Sequence, residues 1–493
     1  MILRRSLPWL VHALIALHVL SASFAATAFS TSTHNSPSAL SSSKLKSTTE
    51  DPQHEIDPSS FPAHVQAAII GGGLGGLAVC AALRRRGIDA HVYEAAPQLL
   101  RGSTGTGIMV SPNGMAALGA IDPALPDRVR KEGSRISRQH IRRTGLDGER
   151  VGEPLDFEMR TGQVNIGWSR AQEILAEVVV DEVEAVVHCG ACFQSYAEVD
   201  GEESMVEITF EDGRVVRTQL LIGCDGAGSQ VRQFMAHSKY KYNERKAAKT
   251  YASRYSGQLL WNAIVPSSAI APSSAGHAPN EVEYILTGED GKVVLAFDAG
   301  PDTTSWYLTL MEESTSLPPG IKQALTDGAI GGFGPRPGLK DELKAAFAHW
   351  PMAIACLDAT TEAMIFERRL SDRVQLPGKQ WSACNGRVVL MGDAAHPMVP
   401  SQGQGTMMTW EDAAELAACV APAFDEASSS SSLAAAIQKY VRLRSKRCAV
   451  VQKYSADAYM GRTMPSFFPR KILRGMKSMR TMKYIKNGYE PSD

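Results

Sequence analysis

The sequence predicts an α/β protein with a parallel sheet and a second, mixed β-sheet domain inserted into it. His64 to Ile70 reads as a buried strand, followed by a glycine-rich turn and a helix over Leu77 to Arg86. Far along the chain, the apolar run Arg387 to Leu390 again leads through a turn toward a helix, and a strand-rich segment separates the two units. The 493 residues suffice for about two or three domains.

Composition excludes several classes of protein. The chain is 44% hydrophobic and 21% charged with a net charge of −1, so no overall field favours nucleic acid, and no nucleic-acid partner is expected. Eight cysteines in this length do not form a disulfide scaffold. Cys189 and Cys192 form a CxxC in a strand-and-turn stretch, where chance spacing is favoured over a redox pair or half of a metal site. No metal site is predicted.

Two segments precede the predicted fold. Residues 1–28 have a basic start, an apolar stretch from Leu7 to Leu20 and small residues at their end, which is typical of a signal peptide. Residues 29–60 are rich in Ser and Thr and carry no acid before Glu50, as transit peptides do. The combination resembles the two-part presequence of algae with secondary plastids, so a plastid location is predicted. Secretion into the endomembrane system and a mitochondrial presequence are the alternatives.

The rest of the chain is predicted to alternate between two domains. Residues 61–235 form the first part of a nucleotide-binding domain with excursions into extra strands, and residues 376–422 return to it. Residues 236–375, with strand-like pieces between long Ser/Pro/Gly loops, form the inserted mixed-sheet domain. Residues 433–493 form a last long helix and a basic tail.

A glycine pattern lies at the first of the two turns. Gly71, Gly73 and Gly76 form GxGxxG between the predicted strand and helix. In such a turn the first glycine permits the bend, the second lets the backbone approach a pyrophosphate, and the third allows close helix–strand packing. Glu94 ends the second predicted strand, where a carboxylate can accept ribose hydroxyls and disfavours a 2′-phosphate. A Rossmann-like domain that binds FAD or NAD is therefore predicted. The alternative, a glycine-rich turn that binds no ligand, is less favoured.

Two further segments decide between FAD and NAD. LLIGCDGAGSQVRQ, residues 220–233, is a buried strand followed by Asp-Gly, and MGDAAHPMVPSQGQG, residues 391–405, combines Gly-Asp with prolines and glycines. Three separated segments for one nucleotide favour FAD. Together they resemble the class A flavoprotein monooxygenases of the para-hydroxybenzoate hydroxylase type, from about residue 65 to about residue 420.

The resemblance implies an FAD-binding domain of the glutathione-reductase type with an inserted substrate domain and a C-terminal helix. Asp393 would accept hydrogen bonds from the ribityl chain, and Pro400 would lie beside the reactive face of the flavin. Arg170 would reach the cofactor from a helix start, with a solvated arginine on the helix face as the alternative. Asp225 and Gly226 would serve both FAD and the nicotinamide cofactor. The implied cofactor-binding residues are Gly71, Gly73, Gly76, Glu94, Arg170, Asp225, Gly226, Gly392, Asp393, Pro400, Gly403, Gln404 and Gly405.

The glycines after Pro400 expose a predicted helix start. Gly403, Gln404 and Gly405 leave the N-terminus of a helix through Trp410 to Val420 uncovered, and such a terminus stabilises an anion by about 0.3–2 kcal/mol. Because reduced flavin is an anion at its pyrimidine edge, this helix start would favour reduction. No catalytic side chain is predicted; His396 is expected to cap or pack, since the cofactor performs the oxygen chemistry.

The chain departs from the family pattern near the expected substrate. Thr406 to Met408 replace the small residue and Asn that often follow GQG, and Leu260 to Asn262 lack the arginine that many relatives carry after the tryptophan. Substrate class is therefore not transferred from the family. Tyr255, Trp261 and Met407 are candidates for the pocket, with core packing at least as probable for each.

The resemblance implies an FAD-dependent monooxygenase that uses NAD(P)H and O2. Through a flavin hydroperoxide it would hydroxylate an aromatic or quinone-like small molecule, or epoxidise a double bond. No second GxGxxG follows a strand, so NAD(P)H would bind transiently or not at all. The alternatives are a flavin dehydrogenase or reductase without oxygen insertion, and a flavin-binding protein without turnover. The basic C-terminus is a candidate for peripheral membrane contact, with a solvated cap over the last helix as the alternative.

Overall fold

The computed structural model describes residues 61–492 except for residues 101, 103–104, 146, 159–161, 200–204, 271–280, 288–291, 315–316, 329, 331–335, 426–429, 460–480, 482–483 and 486–487. The predicted signal peptide (1–28), the leader (29–60) and most of the basic tail therefore lie outside the described residues. Of the helices that the structure describes, none is both long and apolar enough to cross a membrane.

Strands and helices are numbered in chain order. The strands are β1 (His64–Ile70), β2 (Ala90–Glu94), β3 (Gly107–Val110), β4 (Ser134–Arg135), β5 (Arg138–Thr144), β6 (Leu155–Glu158), β7 (Val164–Gly167), β8 (Val187–Cys189), β9 (Phe193–Val199), β10 (Met205–Phe210), β11 (Val215–Gly223), β12 (Ser253–Pro266), β13 (Glu281–Thr287), β14 (Val293–Asp298), β15 (Thr303–Met311), β16 (Phe366–Arg373), β17 (Ser382–Ala383) and β18 (Val388–Leu390). The α-helices are α1 (Leu74–Arg84), α2 (Pro112–Ile121), α3 (Leu125–Glu132), α4 (Trp168–Glu177), α5 (Gln230–Lys239), α6 (Glu244–Tyr251), α7 (Pro319–Thr326), α8 (Leu339–Ala346), α9 (Pro351–Asp358), α10 (Gly405–Val420) and α11 (Ser430–Tyr459).

The first sheet has eight strands and a parallel centre. β1 lies between β2 and β11, and β8 and β18 extend the parallel array on either side. β10 and β9 join β11 as an antiparallel pair, and β17 pairs antiparallel with β18. The apolar sequence of β1 suits a strand that is buried on both faces, as parallel strands are. The prediction of an α/β fold with a Rossmann-like domain is confirmed.

The second sheet has seven strands in the order β16-β12-β15-β14-β13-β5-β6. All its pairs are antiparallel except β13 with β5, so it is a mixed sheet as predicted. Its strands β5 and β6 lie within residues 138–158, a segment that the sequence analysis assigned to the first domain. They belong to the second sheet because β5 pairs with β13 and β6 pairs with β5. The domain bounds 61–235, 236–375 and 376–422 stay predictions.

The two faces of the second sheet have different neighbours. Trp261 and Trp306 point to one face, where they are fully buried with residues of α7, α8 and α9. The other face adjoins the chain that leads into β3. β3 itself belongs to a small three-stranded sheet with β7 and β4. This arrangement brings the second sheet to the edge of the first domain.

Two helices begin earlier than the sequence predicts. α1 begins at Leu74 instead of Leu77, and α10 begins at Gly405 instead of Trp410. In both places the first helical turn includes glycine. Glycine has a weak helix propensity, so the sequence pattern does not indicate that the helix has already begun there. The consequence for function is that each helix start lies inside its glycine motif.

Candidate functional site

The three glycines of the first turn have distinct surroundings. A Cβ on Gly76 would lie 1.8 Å from the carbonyl oxygen of Gly71, so only glycine allows this helix–strand contact. Gly71 has a φ of +108°, a backbone angle that residues other than glycine rarely adopt. By contrast, a Cβ on Gly73 would meet nothing within 4 Å. Gly73 is also the N-cap of α1 and supplies no side-chain cap, so the turn combines a close-packed base with an open backbone surface.

Glu94 is held against this turn. Its carboxylate accepts hydrogen bonds from the backbone N–H of Gly72 at 2.6 Å and of Ala96 at 2.9 Å. Gln172, which the sequence analysis missed, donates from Nε2 to the carbonyl of Gly72 at 3.0 Å. The one available signal for it was a polar residue between the apolar positions of α4. The side chains of Glu94 and Gln172 together define the position of the glycine turn.

Arg170, on the same helix as Gln172, lies elsewhere. Its guanidinium is ion-paired with Glu132, Glu173 and Glu177 at 3.3, 2.8 and 3.3 Å, and its side chain is 37% exposed. Carboxylates spaced along and beside α4 account for this orientation. The surroundings match the alternative of an arginine on a helix face, and its contact with a cofactor stays a prediction.

The Asp-Gly turn after β11 is organised by its aspartate. Asp225 accepts hydrogen bonds from the hydroxyl of Ser229 and the N–H of Gln230, both at 2.6 Å, and thereby satisfies the start of α5. Burial raises the pKa of Asp225 despite these bonds. Gly226 has a φ of +77° and no atom within 4 Å of a Cβ position, so backbone at this turn is open to a ligand.

The Gly-Asp turn after β18 presents one carboxylate. The N–H of Gly392 donates to the carboxylate of Asp412 at 2.9 Å. Gly392 has a φ of +58°, a left-handed backbone angle that suits glycine. The side chain of Asp393 is accessible to solvent, although surrounding protein raises its pKa by desolvation. The turn therefore leaves Asp393 at an exposed position directly after β18, and its contact with a cofactor stays a prediction.

The segment from Pro400 to Gly405 leads into α10. Pro400 begins a short 3₁₀ turn, and Gly403 follows with a φ of +59°. α10 has no side-chain cap and no acidic residue in its first turn, and a helix start of this kind is suited to an anion. The side chain of Gln404 is buried and bonded to Ser111 at 3.0 Å, which leaves only its backbone for a cofactor.

His396 belongs to a buried ionic network. Its Nε2 lies 2.5 Å from Asp412, which also binds Arg444. Burial alone would lower the pKa of His396, but Cys448 and Asp412 raise it well above its usual value. Burial likewise would raise the pKa of Asp412, while His396 and Arg444 lower it to about 2. Donor atoms of His396, Asp412 and Cys448 lie within 4.8 Å of one another, but the arginine already neutralises the carboxylate.

Two of the three pocket candidates pack in the cores, the alternative that the sequence analysis gave for them. Trp261 is fully buried against α7–α9 and donates to Glu367 at 2.9 Å, because its position in β12 points away from the first domain. Met407 is fully buried in the first core, next to Gly114. Tyr255 is partly buried, with the guanidinium of Arg369 4.3 Å from its ring centre. Cys189 and Cys192 of the CxxC are not joined by a disulfide.

The comparison with known proteins identifies the family. Residues 64–252 and 356–452 match the family described as FAD binding domain. The chain is 28% identical over 392 residues to 6-hydroxynicotinate 3-monooxygenase of Bordetella bronchiseptica, covering 79% of this chain and 90% of that protein. The chain belongs to the FAD-dependent monooxygenase family. The protein is thus an oxidoreductase that binds FAD.

Further relatives differ in their chemistry. Chloroplastic zeaxanthin epoxidase of spinach is 29% identical over 403 residues, which are 78% of this chain and 52% of the epoxidase. HpxO of Klebsiella pneumoniae, solved with FAD and uric acid, shares the fold with a TM-score of 0.63 at 22% identity, covering 87% of this chain and 96% of HpxO.

The described residues fit FAD in their chemistry. Two helix starts without side-chain caps, at Gly73 and Gly405, suit a pyrophosphate and an anionic ring. Two carboxylates, Glu94 and Asp393, suit the two polyol parts of the molecule. The open Cβ positions at Gly73 and Gly226 leave room for close backbone approach.

Replacing Gly73 and Gly76 separately by alanine is expected to distinguish binding from folding. Gly76→Ala forces Cβ to 1.8 Å from a backbone oxygen, so little folded protein is expected. Gly73→Ala meets no protein atom within 4 Å, so the protein folds but its methyl group intrudes on the pyrophosphate and lowers FAD content. Soluble yield, circular dichroism and the flavin-to-protein absorbance ratio measure both effects. A Gly73→Ala protein with full FAD content would contradict the assignment of this turn.

Proposed function

We propose that this monooxygenase takes electrons from NAD(P)H and inserts one oxygen atom of O2 into an aromatic or quinone-like ring. The observation that carries the proposal is the place where the two domains meet. A Cβ on Gly403 would lie 3.9 Å from Met109, and Met109 and Tyr307 both pack against the buried cluster that contains Phe297 of the second sheet. The loop that leads into α10 and the aromatic face of the second sheet therefore both adjoin Met109, an arrangement suited to a flat substrate beside a flavin.

The chain's own residues have three tasks in this proposal. Glu94 and the open backbone at Gly73 bind the ADP part of FAD, and Asp393 binds its ribityl chain. Bound FAD supplies the transfer of electrons from NAD(P)H to oxygen. The N–H groups at the start of α10 would stabilise negative charge on bound FAD. Pro400 stiffens the loop beside the ring and helps to exclude water.

The names of the relatives support ring hydroxylation and leave epoxidation as a second candidate. The two 6-hydroxynicotinate 3-monooxygenases are 28 and 29% identical and are covered over 90% of their length. The zeaxanthin epoxidases of spinach and rice are 29 and 27% identical, but only 52 and 53% of their length is covered. Their chloroplast location supports the plastid presequence that we propose for residues 1–60.

Oxygen incorporation tests the proposed function. The purified flavoprotein would be mixed with NADH or NADPH under ¹⁸O₂ and a panel of hydroxylated aromatic acids, quinones and carotenoids. We expect one compound to speed NAD(P)H consumption, suppress peroxide release and gain a single ¹⁸O atom. Flavin reduction with no labelled product from any compound that it accepts would favour the reductase without oxygen insertion. Label in an epoxide would establish the second candidate.

A further inference from the structure

A strongly basic segment joins the end of α5 to α6. Residues 239–249, KYKYNERKAAK, contain five cations and one acid, whereas the whole chain has a net charge of −1. We call residues 239–249 the basic segment. Its cations, all of them exposed, are Lys239, Lys241, Arg245, Lys246 and Lys249. The positive charge is therefore a local feature of this part of the surface.

The cations of the basic segment have no carboxylate partners. None of the five forms an ion pair within the part of the chain that the structure describes. By contrast, Arg217 on a neighbouring exposed surface is paired with Glu207 at 2.9 Å. Lys246 and Lys239 instead lie 4.7 and 5.9 Å from the ring centre of Tyr240, a contact that leaves their charge available to a ligand. The basic segment thus presents uncompensated positive charge to solvent.

An aromatic side chain lies between these cations. Tyr242 is 100% exposed, directly after Lys241. The next residue, Asn243, begins α6 by accepting the N–H of Lys246 at 2.9 Å, so the backbone on either side of Tyr242 belongs to an ordered turn. A tyrosine among lysines is typical of surfaces at the boundary between water and lipid. There the ring enters the head-group layer while the ammonium groups meet lipid phosphates.

The basic segment is fastened to the first domain. Arg232, which is 3% exposed, donates from Nε to the carbonyl of Thr250 at 3.0 Å and from Nη1 to the carbonyl of Ala394 at 3.3 Å. His237 of α5 is also bonded to the hydroxyl of Tyr251 of α6 at 3.0 Å. A ligand that binds the basic segment would therefore hold the Gly-Asp turn after β18 in a fixed orientation.

A cavity of about 500 Å³ lies beside the basic segment. Lys239 and Lys241 line it together with the apolar residues Met235 and Leu376, and Glu198 also contributes to the lining. Lysine side chains combine an apolar stem with a charged end. Two of them beside apolar residues suit an amphiphile with an anionic head, which favours a lipid over a purely polar partner.

We propose that the basic segment docks the protein on an anionic membrane surface, with Tyr242 in the head-group layer. Lysine is depleted in protein–protein interfaces, where arginine is enriched, so a patch in which lysine predominates favours lipid over an acidic protein. The overall net charge of −1 supplies no field that would favour nucleic acid. This inference goes beyond the proposed function and does not depend on the reaction at the flavin.

Vesicle sedimentation of the FAD-loaded protein tests this inference. The vesicles would consist of phosphatidylcholine alone or of an equimolar mixture of phosphatidylcholine and phosphatidylglycerol. We expect stronger binding to the anionic vesicles than to the neutral ones. This preference should disappear at about 1 M NaCl, where charges are screened beyond roughly 3 Å.

Two triple variants with the same net charge make the experiment specific. Replacing Lys239, Lys241 and Lys246 together by glutamine is expected to weaken binding to anionic vesicles roughly 100-fold, because each cation near such a surface raises the affinity about fivefold. The control replaces three exposed lysines on α3, α7 and α11 by glutamine, and it is expected to bind like the wild type. The control positions are Lys131, Lys322 and Lys439.

Tyr242→Ala provides a second, independent measurement. Because the ring is fully exposed, its removal should leave the fold and the FAD content unchanged while it weakens binding to anionic vesicles several-fold. Tyr242→Trp keeps an aromatic ring and is expected to retain the affinity. Unchanged binding of Tyr242→Ala would contradict the position of this residue in the head-group layer.

Four results would overturn the inference. They are no binding to anionic vesicles, equal binding to both kinds of vesicle, equal losses in the two triple variants, and binding to immobilised poly-glutamate without binding to vesicles. Equal losses would assign the binding to the charge of the whole chain. Capture by poly-glutamate alone would identify an acidic protein as the partner of the basic segment.

Discussion

Replacing Arg444 by methionine is expected to lower the free energy of unfolding by about 3–5 kcal/mol, the usual cost of breaking a buried ion pair. Nε of Arg444 donates to Asp412 at 2.7 Å, and Nη1 donates to Glu411 at 2.5 Å. Both carboxylates are fully buried, so methionine would remove a cationic partner from each of them in a weakly polar interior. Arg447 still binds Glu411, and the main loss is therefore expected at Asp412, which keeps His396 and the N–H of Gly392 as partners.

Arg442 offers a matched control on the same helix. It is exposed two residues before Arg444, so Arg442→Met removes an arginine from α11 without touching the network. Denaturant unfolding followed by circular dichroism compares the two variants. Similar stability of both would show that the ion pairs contribute nothing net. Because Asp412 also accepts the N–H of Gly392, Arg444→Met is expected to weaken FAD binding by loosening the Gly-Asp turn.

Replacing Asp393 by alanine is expected to raise the dissociation constant for FAD roughly 10–100-fold, since hydrogen bonds to a charged group contribute about 1.5–3 kcal/mol. Asp393 is solvent-accessible in the structure, so its removal leaves no buried group unsatisfied. The fold should persist while the cofactor is lost. Flavin content after purification and titration of the apoprotein with FAD measure this directly.

Two further variants make the Asp393 experiment specific. Asp393→Asn keeps a hydrogen-bond acceptor without the charge and is expected to lose less FAD than alanine. Asp212→Ala removes an exposed aspartate whose partner is Arg214 at the end of a hairpin, and FAD content should not change. If Asp393→Ala binds FAD as tightly as Asp212→Ala, the ribityl role of Asp393 is wrong.

Local patterns predicted the parts of the site that are built from consecutive residues. The glycine turn at Gly71, the acid at Glu94 and the uncapped helix start after Gly403 each depend on a few residues whose order specifies a backbone shape. Gln172 was missed because its partner, the carbonyl of Gly72, is a backbone atom 100 residues away in the chain. Every residue has a backbone carbonyl, so the residue type at position 72 does not indicate that its carbonyl accepts a hydrogen bond from a side chain.

Arg170 and Arg444 show the same limit for charged side chains. Nothing in the sequence distinguishes an arginine on a helix that reaches a cofactor from one that pairs with carboxylates on its own surface. Arg170 meets Glu132 because α3 packs beside α4 and meets Glu177 along its own helix, whereas Arg444 is buried because α11 covers α10. The burial of an arginine is decided by neighbouring helices and not by its own segment.

The sequence by itself determined the α/β class, the parallel core, the glycine-rich turns and the monooxygenase family, because strand–turn–helix periodicity and glycine spacing are local constraints on the backbone. The tertiary structure alone decided which face of the second sheet looks toward the cofactor turns. That choice placed Trp261 in the core. A one-residue shift in a strand reverses the face that each side chain occupies, and only pairing with distant strands fixes that register.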